Sequence, residues 1–122
     1  MKNKTKPIPE GFNTLTPHLV VKGASNAIDF YKKAFSAEEI RRMPGPDGKS
    51  IMHAELKIGN SRLMLVDEFP EMNARGPESI GGTPVTIHMF VEDADTVFNL
   101  AVNAGAQVRI APARPSAPRP RA

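Results

Sequence analysis

The stretch His18-Leu-Val-Val-Lys-Gly-Ala-Ser-Asn-Ala-Ile-Asp-Phe-Tyr-Lys-Lys-Ala-Phe-Ser-Ala37 decides the reading of this 122-residue chain, because it has an echo. With one gap it lines up on His88-Met-Phe-Val-Glu-Asp-Ala-Asp-Thr-Val-Phe-Asn-Leu-Ala-Val-Asn-Ala-Gly-Ala106. Each copy reads as a short apolar strand carrying one histidine, then a capped amphipathic helix, then a stop of small residues. A strand-helix-strands unit present twice predicts a pseudo-symmetric α+β domain with a cleft where the copies meet. The second copy runs out early, so the second unit is expected to be incomplete.

Working outward from the first copy, residues 16–22 place His18, Val20 and Lys22 on one strand face and Leu19 and Val21 on the other. Gly23 ends the strand, and Ser25 or Asn26 is the expected helix cap, since a short polar side chain can accept from the orphan N–H groups of a first turn. Ala24, Ala27, Ile28, Tyr31, Ala34 and Phe35 recur at helical spacing, and Tyr31 and Phe35 read as helix-on-sheet packing. Residues 38–43 suit an edge strand closed by the Pro44-Gly-Pro-Asp-Gly48 turn. Residues 50–58 alternate, with Met52, Ala54, Leu56 and Ile58 on one face and Ile51, His53, Glu55 and Lys57 on the other. Gly59-Asn60 then predicts a hairpin into a strand over residues 62–66.

The polar run 67–82 is a linker or lid. Residues 83–91 predict the opening strand of the second unit, with Thr86, His88 and Phe90 on one face. Asp93 or Asp95 is placed to cap a helix with Ala94, Val97, Phe98, Ala101 and Ala104 as its stripe and Gly105 as its stop. Residues 107–110 begin one more strand. The expected organisation is a loose arm over 1–15, a domain over 16–110 and a Pro/Arg-rich disordered tail over 111–122. Within the domain, unit one covers 16–68, the linker 69–82 and partial unit two 83–110.

Composition narrows the function classes. No apolar run approaches the roughly 20 residues that span a bilayer, and the basic first residues lead into no apolar segment, so a cytoplasmic protein is expected. The absence of cysteine removes disulfides, zinc-thiolate sites and thiol nucleophiles. The net charge of +3 belongs to the ends: residues 7–108 hold nine of the 16 basic residues and all 13 acidic ones, a net of −4. That body has no basic stripe interleaved with aromatics, which argues against nucleic acid as a partner.

His18, His53 and His88 with Glu55 form the one cluster able to carry chemistry. Imidazole and carboxylate suit zinc, nickel, iron or manganese, and strand positions of like parity can aim several into one cleft. The alternative is that each is a structural or ligand-contacting group hydrogen-bonded on the concave face of the sheet. No close histidine pair fixes a metal, and His53 and Glu55, about 6.6 Å apart along a strand, are too far apart to bond without side-chain reach but near enough to flank one ligand. No serine sits in a nucleophile elbow, and Gly81-Gly82 lacks the lysine and helix of a phosphate loop. The methionines suit core filling or a pliable pocket.

Seven segments occur in an order that resembles the vicinal oxygen chelate superfamily, in particular the PhnB-like branch of the glyoxalase/bleomycin resistance/dioxygenase proteins. They are Thr16-Pro-His-Leu-Val-Val, Ala27-Ile-Asp-Phe-Tyr31, Pro46-Asp-Gly48, Met52-His-Ala-Glu-Leu56, Leu63-Met-Leu65 with Asp67-Glu68, Gly81-Gly-Thr-Pro84 and Ala104-Gly-Ala106. The resemblance implies paired βαβββ modules around a cleft, within a homodimer, and a small-molecule ligand. It also implies either one divalent metal in a lyase or dioxygenase-like enzyme, or none in an inactive drug-sequestering or dimerisation module. The family's metal positions fall near Thr16, Met64 and Thr86, with His18 and His88 two residues beyond the threonines, and the last glutamate has no counterpart. The candidate ligand-binding residues are therefore His18, His53, Glu55, His88 and Phe90, and the candidate metal ligands are His18, His88 and Glu55.

Overall fold

The computed structural model describes residues 6–108. The expected tail over 111–122 and the last residues of the expected strand at 107–110 lie outside them. The chain builds β1 (His18–Val21), α1 (Ala24–Phe35), β2 (Glu38–Pro44), β3 (Ile51–Ile58) and β4 (Ser61–Asp67). A single turn of 3-10 helix (Pro70–Met72), a one-turn helix α2 (Pro77–Ile80) and α3 (Ala94–Asn103) follow. The sheet order is β1-β4-β3-β2, with β1 parallel to β4 and the other pairs antiparallel. This is one complete βαβββ unit followed by the helix of a second, an α+β fold with an incomplete second module.

The helix face of the sheet carries the core. Ala24 and Ile28 of α1 meet Ile51, Ala54, Leu56, Leu63 and Leu65, with Leu19, Val21 and Tyr31 packed against them. Ile28, Leu56 and Leu65 are fully buried, and each contributes roughly 1.5–3 kcal/mol through removal of apolar surface from water. Ile51 departs from its expected face. The register between β2 and β3 shifts at Met43/Pro44, so the extra residue turns Ile51 into the core while His53 and Glu55 keep the opposite face.

The start of α1 is held differently from the sequence expectation. Neither Ser25 nor Asn26 caps it, and Gly23 occupies the N-cap in the left-handed region at φ 78°. Asp67, at the end of β4, supplies the acceptor instead. Its Oδ1 accepts from the N–H groups of Gly23 at 3.0 Å and Ala24 at 2.8 Å, and its Oδ2 accepts from the Ile51 N–H at 2.7 Å. One carboxylate thus ties the end of β1, the start of α1, the start of β3 and the end of β4.

The polar linker is folded rather than loose. Glu68 accepts from the Gly76 N–H at 2.8 Å and from the Ser79 hydroxyl, whose hydrogen bonds and the Gly76 N–H hold its carboxyl below the ordinary range. Gly76 lies so close to β1 that a Cβ there would meet the Val20 carbonyl oxygen at 2.7 Å.

In the second unit the helix forms and the strand does not. Asp93 caps α3 by accepting from the Thr96 N–H at 3.1 Å. Residues 83–91 form no strand, because no neighbouring strand among the described residues offers their N–H and C=O groups a ladder. Helix α3 packs on α1 without burying any residue fully. No helix among the described residues is long and apolar enough to cross a membrane.

Removing the Asp67 carboxylate leaves three N–H groups without their acceptor. Asp67→Ala should lower unfolding free energy by about 2–4 kcal/mol in urea denaturation, and Asp67→Asn by less. A separate pH effect is expected in the β2–β3 turn, where Ser50 and Lys49 N–H groups and the Ser50 hydroxyl hold the Asp47 carboxyl down at about 2. Because that carboxyl is depressed on folding, its contribution is present above the ordinary aspartate value of about 3.9 and is lost as pH falls through the folded value. NMR amide shifts of Lys49 and Ser50 should hold steady through mild acid and move only near the folded value.

Candidate functional site

The strand register fixes what each sheet face presents. On the face away from α1, His18 stands beside Met64, Met64 beside Glu55 and Glu55 beside Arg41, a row crossing all four strands. His53 joins it from two residues along β3. Its Nε2 lies 3.0 Å from Glu55 Oε2, so the two bond directly, side-chain reach closing the backbone gap. The Glu55 side chain is 13% exposed and that of His53 27%. The pair therefore sits on the sheet rather than waving in solvent.

A cavity of about 760 Å³ lies elsewhere, at the hairpin end of the sheet on the helix side. Leu19, Leu63, Tyr31 and Phe35 form one wall, and residues 87–91 form the other. The Tyr31 and Phe35 rings stack with centroids 6.1 Å apart, and burial pushes the Tyr31 hydroxyl upward, keeping it a neutral hydrogen-bond donor. His88 and Phe90 face each other across 4.8 Å between ring centroids. Phe90 is 91% exposed, so the cavity opens to solvent past that residue. A largely apolar hollow of this size with a few polar groups has the character of a small-molecule site.

Arg62 also lines the cavity. Its guanidinium lies 4.9 Å from the centre of the Phe12 ring, and a Cβ at Gly11 would meet Nη2 at 2.5 Å, so the N-terminal arm clasps it closely. The cross-strand neighbour of Arg62 is Lys57, which offers no acceptor. Arg62 Nε is shielded from solvent and has no hydrogen-bond partner among the described residues. A buried donor left in this way costs about 1–3 kcal/mol unless an oxygen reaches it. Among the described residues no aspartate or glutamate lines the cavity.

The five candidate residues thus divide between two surfaces. His18, His53 and Glu55 share the open sheet face, whereas His88 and Phe90 border the cavity. The expectation that His18 and His88 face one another from matching places is corrected, because the segment carrying His88 does not enter a sheet. The expected metal set of His18, His88 and Glu55 does not fit an ion either: among the described residues no three His, Asp or Glu side chains are grouped to hold one. Tyr31, Phe35 and Arg62 were not expected at a site. The aromatic stripe does pack, but its outer end also walls the cavity. For Arg62 a faint signal existed in the sequence, a basic residue opening an apolar strand directly after a hairpin whose other arm offers lysine.

Comparison with known proteins agrees with this architecture. Residues 18–68 match the family model "Glyoxalase At5g48480-like, N-terminal domain". The X-ray structure of the Arabidopsis thaliana At5g48480 gene product superposes with a TM-score of 0.64 at 24% identity, covering 82% of this chain and 80% of that one. TioX from Micromonospora sp. ML1 gives a TM-score of 0.52 at 20% identity, covering 80% and 76%. The fold is glyoxalase-like. Uncharacterized protein Mb0911c of Mycobacterium bovis is 55% identical over 97 residues, which is 77% of this chain. Uncharacterized protein Rv0887c of Mycobacterium tuberculosis shows the same identity and coverage of this chain. The chain spans 63% and 56% of the lengths of these two relatives.

The Phe12–Arg62 contact should be measurable on its own. Phe12→Ala is expected to cost about 0.5–1 kcal/mol and to speed hydrogen exchange at the amide of residue 12, which donates to the Pro9 carbonyl. Unchanged exchange would mean that the arm is held by other contacts.

Proposed function

We propose that this protein binds a small, largely apolar molecule in the cavity between the hairpin end of its sheet and residues 87–91, sequestering it rather than transforming it. The observation that carries the reading is the cavity itself, a largely apolar space of about 760 Å³ with Asn13, Tyr31, Ser36, Asn60 and His88 among its polar lining residues. The reading derives no step through a metal, because the histidines and the glutamate that would share one lie on different surfaces. It includes a PhnB-like glyoxalase/bleomycin resistance type of protein with a shortened second module, acting in the cytoplasm.

A second reading, self-association into a homodimer, is favoured by a separate observation. Val85, Ile87 and Phe90 are 65%, 52% and 91% exposed along a segment with no strand beside it among the described residues. A second copy of the chain could cover that apolar edge. Sedimentation of the native protein and of Phe90→Ser separates the readings: a dimer that the substitution dissociates supports the second.

The binding reading is tested with the neutral fluorescent probe N-phenylnaphthylamine. Saturable binding is expected, and Ile87→Trp, which adds bulk at the half-exposed cavity wall, should weaken it about tenfold, or ~1.4 kcal/mol. Binding that does not saturate, or that Ile87→Trp leaves unchanged, would remove the cavity as the site.

A further inference from the structure

We infer that the N-terminal arm is a gate on this cavity, latched on the opposite face of the sheet by the Phe12 ring against Arg62. The inference rests on the cavity reading above and adds how entry to that site is controlled. The arm reaches both sides of the sheet. Asn13, Leu15 and Pro17 line the cavity, whereas the Phe12 ring centre lies 4.9 Å from Arg62 Cζ. Arg62 alternates along β4 with Leu63, a core residue, so its side chain stands with Met64 on the face away from α1. A segment that walls the cavity is therefore pinned from behind.

That pin is the arm's main hold. Residues 6–15 are exposed except Phe12, which is half-buried. Among the described residues their one hydrogen bond is internal, from the Phe12 N–H to the Pro9 carbonyl at 3.0 Å. The first bond to the sheet comes at Pro17, whose carbonyl accepts from the Met64 N–H at 2.9 Å. Pro17 is thus the hinge and Phe12 the latch, with Leu15 between them, an apolar side chain 86% exposed at the rim of an apolar space. The latch is also close to balance. Phe12 supplies a cation–ring contact, but with the arm in place Arg62 Nε is shielded from solvent without an acceptor, a cost of similar size. An arm held so lightly opens and recloses, and a segment that does so at the edge of a cavity sets the rate of passage. The rival explanation is that the arm is a fixed wall, which a ligand touches but never waits for.

Stopped-flow mixing of the full chain with N-phenylnaphthylamine decides between them. If passage waits on the arm, loosening the latch speeds entry and exit together and leaves affinity alone. Phe12→Ala should raise the association and dissociation rates by the same factor, about two- to fivefold, the equivalent of ~0.5–1 kcal/mol for an exposed cation–ring contact, with Kd unchanged. Phe12→Tyr, which keeps the ring, should leave both rates at their native values. Gly11→Ala should act as Phe12→Ala does, because a Cβ at φ 88° is strained and would meet Arg62 Nη2, and it keeps the inference falsifiable if Phe12→Ala does not fold. Unchanged rates in the two alanine variants, or faster dissociation alone with weaker affinity, overturns the gate and leaves the cavity reading standing. Absence of saturable binding in the native protein overturns both.

Discussion

The fold depends on a single side chain placed where four chain ends meet. Asp67 closes β4, and from there its two oxygens reach the first turn of α1 and the first residue of β3. Burial of Ile28 against Leu56 and Leu65 supplies the larger share of stabilisation, but burial has no direction. The carboxylate gives it one, fixing where the helix begins relative to the strands it must cover. Gly23 completes the arrangement, since its left-handed backbone lets the chain turn from strand to helix without a side chain in the way.

Beyond this knot the molecule is asymmetric. The first unit has its own sheet and core, whereas among the described residues the second contributes a helix that leans on α1 and a run with no ladder. The cavity follows from that difference. Tyr31, Phe35 and Leu63 of the first unit line it together with residues 87–91.

The elements of the first unit were largely legible in the sequence, because each is written in a pattern that local physics reads alone. The helical spacing of Ala24, Ile28 and Tyr31, the alternation around Ala54 and Leu56, and the glycine turn before β4 are such patterns. What could not be read were features that need a distant partner. The cap on α1 comes from a residue 43 positions away from Ala24, whereas the local pattern points to Ser25 or Asn26. The bulge that turns Ile51 inward depends on β2. The missing second strand shows the same limit: residues 83–91 have strand-like alternation, but alternation describes a face and not the neighbour that must pair with it. For the site, His53 and Glu55 were correctly placed on one face, yet parity could not tell that His18 and His88 would lie on separate surfaces.

The outer strand of the sheet has a bearing on how this protein behaves in a crowd. β2 sets Glu38, Glu39, Arg41 and Arg42 along an edge, breaks its register twice and ends in Pro44. Charges, irregular spacing and a residue without an N–H are poor templates for an arriving strand. At the other margin β1 offers only four residues, with Gly76 drawn against its Val20 carbonyl. Neither border invites the stacking of molecule on molecule that builds amyloid fibres, so the exposed apolar residues of the second half are not backed by a sheet edge that could seed them.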